Sequence, residues 1–221
     1  MKQVLILGHS GGIGRALAQA YDAAGFAVTG LSRRDDGFDI TDPASVAHHM
    51  GQLTGPYDRI VIATGALEID GYAPEKSVSS VTAQGMADQF AVNAIGPALI
   101  LKHIRPLIPR DRACVIAALS ARVGSIGDNR LGGWVSYRAA KAALNQIIHT
   151  GAIELGRMRP MSCCIALHPG TVATDFTAKY AGRHPTVSPD AAAANLMRVI
   201  ESRGPEHNGQ FFDWRGDPVP W

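Results

Sequence analysis

The sequence predicts an α/β fold in which one doubly wound parallel sheet of about seven strands lies between two layers of helices. Short apolar runs of strand length alternate with longer, helix-patterned segments along the chain. The apolar runs are continuous rather than alternating, as in parallel strands that are covered on both faces. The 221 residues suit a single domain spanning 1–221, and no repeat or linker divides them.

The N-terminal half is predicted to alternate strands with helices. Residues 2–7 form an apolar run that leads into a glycine-rich loop and an Ala-rich amphipathic helix ending near Ala24. Gly25 is a typical residue after a helix C-terminus, and Asp42-Pro43 is typical of a helix start. The predicted strands of this half are residues 2–7, residues 26–31, a short strand ending at Phe38-Asp39-Ile40, and residues 59–63.

The C-terminal half is predicted to contain two long helices and three further strands. One helix runs from Ser79 to about Leu107 despite Gly85, Gly96 and Pro97, and the other from Trp134 to about Gly156. The predicted strands are residues 112–119, 161–167 and 210–213.

Composition narrows the function classes. The formal charge of +2 comes from 21 basic and 19 acidic residues without a basic block, which argues against a nucleic-acid surface. No apolar run approaches the ~18 residues of a membrane span, so we expect no membrane partner and a cytoplasmic location. Cys114, Cys163 and Cys164 lie in apolar runs and predict buried reduced thiols. The histidines and cysteines have no ligand spacing, so no metal is expected.

A glycine loop follows the first predicted strand and opens the first helix. Gly8, Gly12 and Gly14 give the spacing GxxxGxG, with Ser10 and Ile13 in the same loop. The backbone N–H groups and the positive end of the helix dipole converge there, which favours a phosphate group. The pattern therefore predicts a dinucleotide site rather than a glycine-rich turn without a ligand.

The end of the second predicted strand should decide which nicotinamide nucleotide is bound. An acid there would hold a free ribose 2′-hydroxyl, whereas an arginine would hold a 2′-phosphate. This end carries Arg33 and Arg34, which predict NADP(H). Asp35 and Asp36 follow directly and keep NAD(H) as the less favoured alternative; the four residues could also form only a solvated charged turn.

Tyr137 and Lys141 stand four residues apart near the start of a predicted helix, so their side chains share a face. A phenol is a poor acid–base group at neutral pH, but a neighbouring ammonium stabilises the phenolate and lowers the phenol pKa. The pair therefore predicts proton transfer at the substrate.

These motifs, in this order, resemble the short-chain dehydrogenase/reductase family in its compact single-domain form, which implies a Rossmann fold. The resemblance covers residues 8–212. It rests on the glycine loop, Asp39-Ile40, Val92-Asn93-Ala94, a serine segment near Ser120, Tyr137 with Lys141, and residues 169–174. The run 124–134 further resembles the C-factor-like and sniffer-like carbonyl reductase branch.

The resemblance implies roles for matching residues. Tyr137 would protonate the carbonyl oxygen of the substrate. Lys141 would lower the pKa of the Tyr137 phenol and bind the nicotinamide ribose. Asn93 would interrupt its helix and hold a water of a proton relay that leads to Lys141. Asp39 and Ile40 would face the adenine, and Val172 and Thr174 would contact the carboxamide and the phosphates. The implied cofactor residues are Gly8, Ser10, Gly12, Ile13, Gly14, Arg33, Arg34, Asp39, Ile40, Gly65, Tyr137, Lys141, Pro169, Gly170, Val172 and Thr174.

The chain departs from the family pattern at two places. The usual Asn-Asn-Ala-Gly after the fourth strand is Ile62-Ala63-Thr64-Gly65 here, so only Gly65 is kept. The serine that orients the substrate carbonyl usually lies three residues before a glycine, where this chain has Ala121. Ser120 is our first candidate for that role, and Ser125 is the alternative.

The resemblance implies an NADP(H)-dependent oxidoreductase that interconverts a carbonyl and a secondary alcohol. The alternative is a nucleotide-binding regulatory or signalling protein with little turnover. Residues 176–188, with Lys179, Tyr180, Arg183 and His184, are expected to form a lid over the substrate, and Trp134 with residues 124–133 to form the opposite wall. The two long helices suggest a homodimer or homotetramer by analogy.

Overall fold

A computed structural model of the chain describes residues 1–174, 176–177 and 186–221. In these residues six strands form one sheet in the order β2-β1-β3-β4-β5-β6, with every neighbouring pair parallel. The strands are β1 (Gln3–Leu7), β2 (Ala27–Leu31), β3 (Arg59–Ile62), β4 (Cys114–Leu119), β5 (Ser162–His168) and β6 (Phe211–Asp213). The predicted doubly wound parallel sheet is confirmed, with six strands described instead of about seven.

Helices cover both faces of the sheet. They are α1 (Gly12–Ala23), α2 (Arg33–Asp36), α3 (Pro43–Gln52), α4 (Ala83–Phe90), α5 (Gly96–Ile104), α6 (Val135–Met158) and α7 (Pro189–Glu201). Asp42 caps α3 by accepting a hydrogen bond from the Ala44 N–H at 2.9 Å, and Ser188 caps α7 by accepting from the Ala191 N–H at 3.2 Å.

Successive side chains of β1 point to opposite faces of the sheet and enter two separate hydrophobic clusters. Val4 and Ile6 lie in one buried cluster with α1 and α7, while Leu5 and Leu7 lie in the other with α3, α5 and α6. All four side chains are fully buried. Each such side chain contributes about 1.5–3 kcal/mol through burial, so both layers depend on this strand.

The predicted short strand ending at Phe38-Asp39-Ile40 is wrong. Phe38 and Ile40 are buried, yet their backbone joins no strand, and the Phe38 N–H instead donates to the Ser32 carbonyl at 3.1 Å. β2 is the sheet edge, and α2 with Gly37 (φ +72°) turns the chain away from that edge. The two apolar side chains therefore fill the core without extending the sheet.

The single long helix predicted over 79–107 is also wrong. A 3₁₀ turn at Val78–Ser80 precedes α4, Ala91–Ile95 form a π-helical turn, and a second 3₁₀ turn follows α5 at Arg105–Leu107. Pro97 has no N–H to offer the Asn93 carbonyl four residues before it, so the regular α-helical bond is impossible at this point. The interruption falls at Asn93, as the resemblance implies.

Candidate active site

The glycine loop is a tightly packed backbone turn at the N-terminus of α1. Gly8 has φ +93°, and a Cβ built at Gly14 would lie 2.1 Å from the Gly8 carbonyl oxygen. No side chain caps α1, whose N-cap is Gly11. Within the described residues the first N–H groups of the helix therefore have no side-chain cap and can bind an anion, and Ser10 and Ile13 stand in the same turn.

The segment after β5 meets this loop. A Cβ at Gly12 would lie 2.5 Å from Cγ2 of Thr174, so the Thr174 side chain packs where a residue other than glycine would place its Cβ. Val172 is buried and pairs in a bridge with Val187. Pro169 and Gly170 link β5 to Val172, and a Cβ at Gly170 would lie 2.9 Å from Cδ1 of Trp214. The predicted cofactor residues 169–174 thus adjoin the glycine loop.

The adenosine end predicted at Arg33 and Arg34 lies in the short helix α2. Both arginines are exposed, and the Arg34 Nε donates to the Asp35 Oδ1 at 2.8 Å. This hydrogen bond holds the pKa of Asp35 below its usual range. A bound 2′-phosphate would therefore compete with Asp35 for Arg34.

His9 brings the glycine loop against the same end. Its ring lies over Gly30, where a Cβ would come within 2.5 Å of the ring Cγ. Its Nε2 is 3.5 Å from Asp35 Oδ2, and its Nδ1 is 3.8 Å from Asp36 Oδ2. The Nδ1 is buried and has no hydrogen-bond partner in the described part of the chain. His9 is thus a further polar group at the predicted 2′-phosphate position.

Asp39 and Ile40 are held rigidly in the segment that follows. Asp39 Oδ1 accepts from the Thr41 hydroxyl at 2.7 Å and the Thr41 N–H at 2.9 Å, and these bonds lower the pKa of Asp39. Ile40 packs against Gly96, where a Cβ would lie 2.9 Å from the isoleucine side chain. The segment predicted to face the adenine thus packs against the start of α5, directly after the π-helical turn that contains Asn93.

Tyr137, Lys141 and Asn145 form one buried stripe on α6 at intervals of four residues. The Lys141 Nζ lies 5.8 Å from the centroid of the Tyr137 ring and donates to the Leu119 carbonyl at the end of β4 at 3.1 Å. The predicted pair therefore faces the carboxyl edge of the sheet from the first two turns of the helix.

Burial sets the charge states of this pair. It raises the pKa of Tyr137 above its usual range and lowers the pKa of Lys141 to about 8. The phenol is accordingly protonated at neutral pH, which is the form that can donate a proton, while the amine remains mostly charged. The sequence predicts that Lys141 lowers the phenol pKa, whereas in this structure burial raises the pKa of Tyr137.

Asn93 and Lys141 converge on Gly65. A Cβ at Gly65 would lie 3.0 Å from Asn93 Oδ1 and 3.4 Å from Lys141 Nζ. Asn93 Oδ1 accepts from the Ala66 N–H at 3.2 Å, and its Nδ2 donates to the Ala66 carbonyl and to Gln89 Oε1, both at 2.8 Å. Gly65, the residue of the family motif that this chain keeps, therefore leaves room for the side chains of Asn93 and Lys141 because it has no Cβ.

The two candidate serines differ in their hydrogen bonds. Ser120 follows β4 directly, and its hydroxyl donates to Asn145 Oδ1 at 2.6 Å. Ser125 is equally buried, but its hydroxyl oxygen accepts from the Asp128 N–H at 3.1 Å. The proton of Ser120 is engaged inside the protein, whereas the hydrogen bond that Ser125 accepts leaves its proton available to a ligand.

Sequence reasoning missed three side chains that support this site. Asn145 holds Ser120 and could have been found from its spacing of four after Lys141. Gln89 precedes Asn93 by four residues, binds its amide and donates to the Leu67 carbonyl at 2.9 Å. Glu75 binds the start of α6 from a distant loop, and no local sequence pattern indicates this contact.

Other predicted features have different outcomes. Lys179, Tyr180, Arg183 and His184 of the expected lid lie outside the described residues. Trp134, expected in the opposite wall, packs edge-on against Tyr137 with ring centroids 6.2 Å apart. Across the described residues, no cluster of three or more His, Cys, Asp or Glu side chains is placed to hold a metal ion. Within the same residues, no helix has the length and apolarity to cross a membrane.

The residues fit a nicotinamide nucleotide. The glycine cradle at the start of α1 lacks the side chains that would exclude a diphosphate. The Thr64 hydroxyl, which follows β3 beside Gly8, is buried without a hydrogen-bond partner among the described residues. Such an unsatisfied buried group costs about 1–3 kcal/mol, which a polar ligand would recover.

Comparisons with known proteins agree with this geometry. The profile of a family described as Enoyl-(Acyl carrier protein) reductase matches residues 37–204. The chain is 29% identical over 237 residues to 1-hydroxy-2-glutathionyl-2-methyl-3-butene dehydrogenase of Rhodococcus sp., with both chains covered completely. It is 32% identical over 169 residues to the C-signal of Myxococcus xanthus, covering 76% of this chain and 95% of that protein.

Solved structures resemble the whole chain. A short-chain dehydrogenase/reductase from Burkholderia multivorans with bound NADP superimposes with a TM-score of 0.84 at 25% identity, covering 100% of this chain and 99% of the other. A carbonyl reductase from Pseudomonas aeruginosa gives a TM-score of 0.81 at 26% identity, with both chains fully covered.

Proposed function

Because this chain belongs to the short-chain dehydrogenase/reductase family, we propose that it is an NADP(H)-dependent oxidoreductase that interconverts a carbonyl and a secondary alcohol. The observation that carries the proposal is the convergence of Asn93 and Lys141 on Gly65, with Tyr137 one helical turn away on α6. In a surface Tyr–Lys pair both side chains would be exposed, whereas here both are buried and Lys141 binds the carbonyl at the end of β4.

When bound, the nicotinamide supplies a hydride for the carbonyl carbon. The chain's own contribution begins with the protonated phenol of Tyr137, which donates its proton to the carbonyl oxygen and is polarised by the Lys141 ammonium beside it. Lys141 would also bind the ribose hydroxyls of the nucleotide. The proton that leaves Tyr137 would be replaced by way of Lys141 from a water held at Asn93, whose carbonyl Pro97 cannot bond.

A serine hydroxyl completes the proposed site by donating to the substrate carbonyl oxygen. Ser120 and Ser125 are the candidates, and their hydrogen bonds favour Ser125, since the Ser120 proton already binds Asn145. Such a donor typically supplies about 2.7–4 kcal/mol of transition-state stabilisation. The remainder of the wall, including Trp134, suits an apolar substituent on the substrate.

The preference for NADP(H) over NAD(H) is supported at the adenosine end and by a relative. Arg33 and Arg34 follow β2, with His9 beside them. The Burkholderia multivorans structure contains NADP. Asp35 and Asp36 oppose the 2′-phosphate electrostatically, so the discrimination should be moderate rather than absolute.

The reaction is tested by following NADPH absorbance against ketones, aldehydes and quinones. We expect turnover on at least one class, and the loss of at least about 10³-fold in kcat on Tyr137→Phe because the proton donor is removed. Activity that persists undiminished in Tyr137→Phe would contradict the mechanism.

The nucleotide preference is tested by measuring the dissociation constants of NADPH and NADH. We expect tighter binding of NADPH, and about a tenfold weaker NADPH affinity in Arg34→Ala with NADH unchanged, because only the 2′-phosphate needs the guanidinium. Equal affinities of the wild type for the two nucleotides would refute the preference.

A nucleotide-binding regulatory or signalling protein is the second candidate. Its support is the 32% identity to the C-signal and the absence of a serine at the usual position, where this chain has Ala121. Tight NADPH binding without turnover on any substrate of the panel would favour this function over the enzyme.

A further inference from the structure

The N-terminus of α6 has no cap of its own. Its N-cap residue is Trp134, which provides no side-chain hydrogen bond to the first turn. Helices usually satisfy these N–H groups with a local Ser, Thr, Asp or Asn. The helix that carries Tyr137 as its third residue therefore needs a partner from elsewhere in the chain.

Glu75, in the loop between β3 and α4, supplies that partner. Its Oε2 accepts from the Ser136 N–H at 3.2 Å, and its Oε1 accepts from the Ser136 hydroxyl. Ser136 is buried and Glu75 is partly buried, so both bonds are partly shielded from water. They help to hold the pKa of Glu75 below its usual range, against the opposing effect of desolvation, and the carboxylate also complements the helix dipole.

The backbone of the same residue fixes the approach to the helix. The Glu75 carbonyl accepts from the Trp134 N–H. Three consecutive residues there have positive φ: Gly132 (+65°), Gly133 (+68°) and Trp134 (+53°). For a bulky residue such as Trp134 this conformation is unfavourable and persists only when the surroundings impose it.

Both residues that Glu75 holds are direct neighbours of the phenol. Ser136 precedes Tyr137 in the chain, and the Trp134 indole packs edge-on against the Tyr137 ring. A shift of the Glu75 loop would therefore rotate or loosen the first turn of α6. Angstrom-scale misplacement of a reacting group can cost about 10²-fold in rate.

We propose that Glu75 is a positioning residue for the reaction of Tyr137. It acts through Ser136 and Trp134 and touches neither substrate nor nucleotide. This inference rests on the proposed function, because it requires the Tyr137 hydroxyl to react.

The test compares kcat, KM and the NADPH dissociation constant for Glu75→Ala, Glu75→Gln and the wild type. We expect Glu75→Ala to lower kcat about tenfold or more while the NADPH dissociation constant changes less than twofold. Glu75→Gln should recover most of kcat, since its amide oxygen still accepts from Ser136. Lys76→Ala, an exposed neighbour in the same loop, is the matched control and should behave as the wild type.

A double-variant cycle separates this role from a general loss of structure. Because Glu75 acts through Ser136, the kcat of Glu75→Ala/Ser136→Ala should be no lower than that of the worse single variant. If Glu75→Ala does not fold, Glu75→Asp keeps the charge but shortens the reach by one methylene, and it should reduce kcat several-fold with KM unchanged.

The outcomes distinguish the two proposals. If Tyr137→Phe turns over like the wild type, the proposed function fails. If Tyr137→Phe is inactive while Glu75→Ala, or Glu75→Asp where the alanine variant does not fold, matches Lys76→Ala in kcat, the positioning role is wrong. An equal loss in kcat and NADPH affinity would likewise overturn it, because that pattern indicates a disordered site.

Discussion

Burial governs the individual side chains of the proposed reaction. Tyr137 and Lys141 are both almost completely enclosed, so burial shifts the pKa of each toward its neutral form, although Lys141 stays mostly charged at neutral pH. Lys141 is stabilised by one backbone carbonyl and by the Tyr137 ring face instead of by a carboxylate. The protein thus maintains a buried amine at a cost in stability, which is common where a group serves catalysis.

Lys141 should give the protein a measurable pH dependence of stability. Its folded pKa is lowered to about 8, below the value of the unfolded chain, so the unfolded state binds more protons above pH 8. The free energy of unfolding of the wild type relative to Lys141→Met should therefore rise by about 1 kcal/mol per pH unit between about pH 8 and 10.

Urea titrations at several pH values measure this difference. The titrations of Tyr137 and the buried cysteines occur in both proteins and cancel in the comparison. Parallel pH profiles for wild type and Lys141→Met would show that the amine is not perturbed by burial.

The two serines should separate when each is replaced by alanine. Ser125→Ala should lower kcat about 10²–10³-fold because the hydroxyl that donates to the substrate carbonyl oxygen is lost. Ser120→Ala should cost about 1–2 kcal/mol of stability, measured by urea unfolding, because Asn145 Oδ1 loses a buried donor. A larger kcat loss in Ser120→Ala than in Ser125→Ala would reverse the assignment.

Two backbone elements shape the nucleotide and relay ends of the site. The glycine loop excludes side chains by contacts as short as 2.1 Å to a built Cβ, and the π-helical turn at Ala91–Ile95 falls where the Asn93 carbonyl lacks its regular α-helical N–H partner. The first is required by close packing and the second by Pro97. Both therefore follow from residue types with special backbone properties, since glycine has no Cβ and proline has no N–H.

Gly14→Ala tests the close packing of the loop. The added Cβ would collide with the Gly8 carbonyl oxygen, so we expect NADPH binding to be lost together with more than about 2 kcal/mol of stability. Gly51→Ala is the control, since its Cβ meets nothing within 4 Å and its place in α3 predicts a gain of about 0.5–1 kcal/mol. Thermal unfolding and NADPH titration measure both effects, and an unchanged Gly14→Ala protein would refute the packing.

The sequence predicted elements well where one residue pattern determines one structure. The β1–loop–α1 unit followed from Gly8, Gly12 and Gly14, and the Tyr137–Lys141 face followed from helical spacing. The strand at Phe38–Ile40 failed because apolar residues indicate burial and do not reveal whether a neighbouring strand exists. The Ser136–Glu75 contact joins residues 61 apart, so no local pattern could indicate it.

The sheet order explains why the site forms at one edge of the whole molecule. From β1 the chain moves outward to β2 and then crosses to β3 on the other side, which leaves a crevice beyond the carboxyl ends of β1 and β3. Gly8 follows β1 and Thr64 follows β3 in that crevice, while Ser120 follows β4 and His168 ends β5. Loops that are distant in sequence therefore supply one site.

The groove between α5 and α6 is the surface where we predict a second copy of the chain to bind. It is lined by Ala98, Leu101, Lys102, Gln146, Ile147, Thr150, Gly151, Glu154 and Met158. Thr150→Arg should convert the homo-oligomer into monomers, as measured by sedimentation, because the long side chain fills the groove. Ala194→Arg on the exposed side of α7 is the control and should leave the assembly intact. A monomeric wild type would contradict the assembly.

The left-handed entry to α6 bears on how this protein can be redesigned. Residues 126–131 are exposed, with Ile126 and Leu131 pointing largely to solvent, whereas Gly132 to Trp134 fix the backbone that delivers the helix. The Asp128 N–H donates to the Ser125 hydroxyl, and Asn129 Oδ1 accepts from the Gly132 N–H. Randomised libraries aimed at new substrates should therefore vary Ile126 and Leu131 while keeping Asp128, Asn129 and the loop length. Variants that disturb the next three residues should appear in a screen as inactive regardless of the substrate offered.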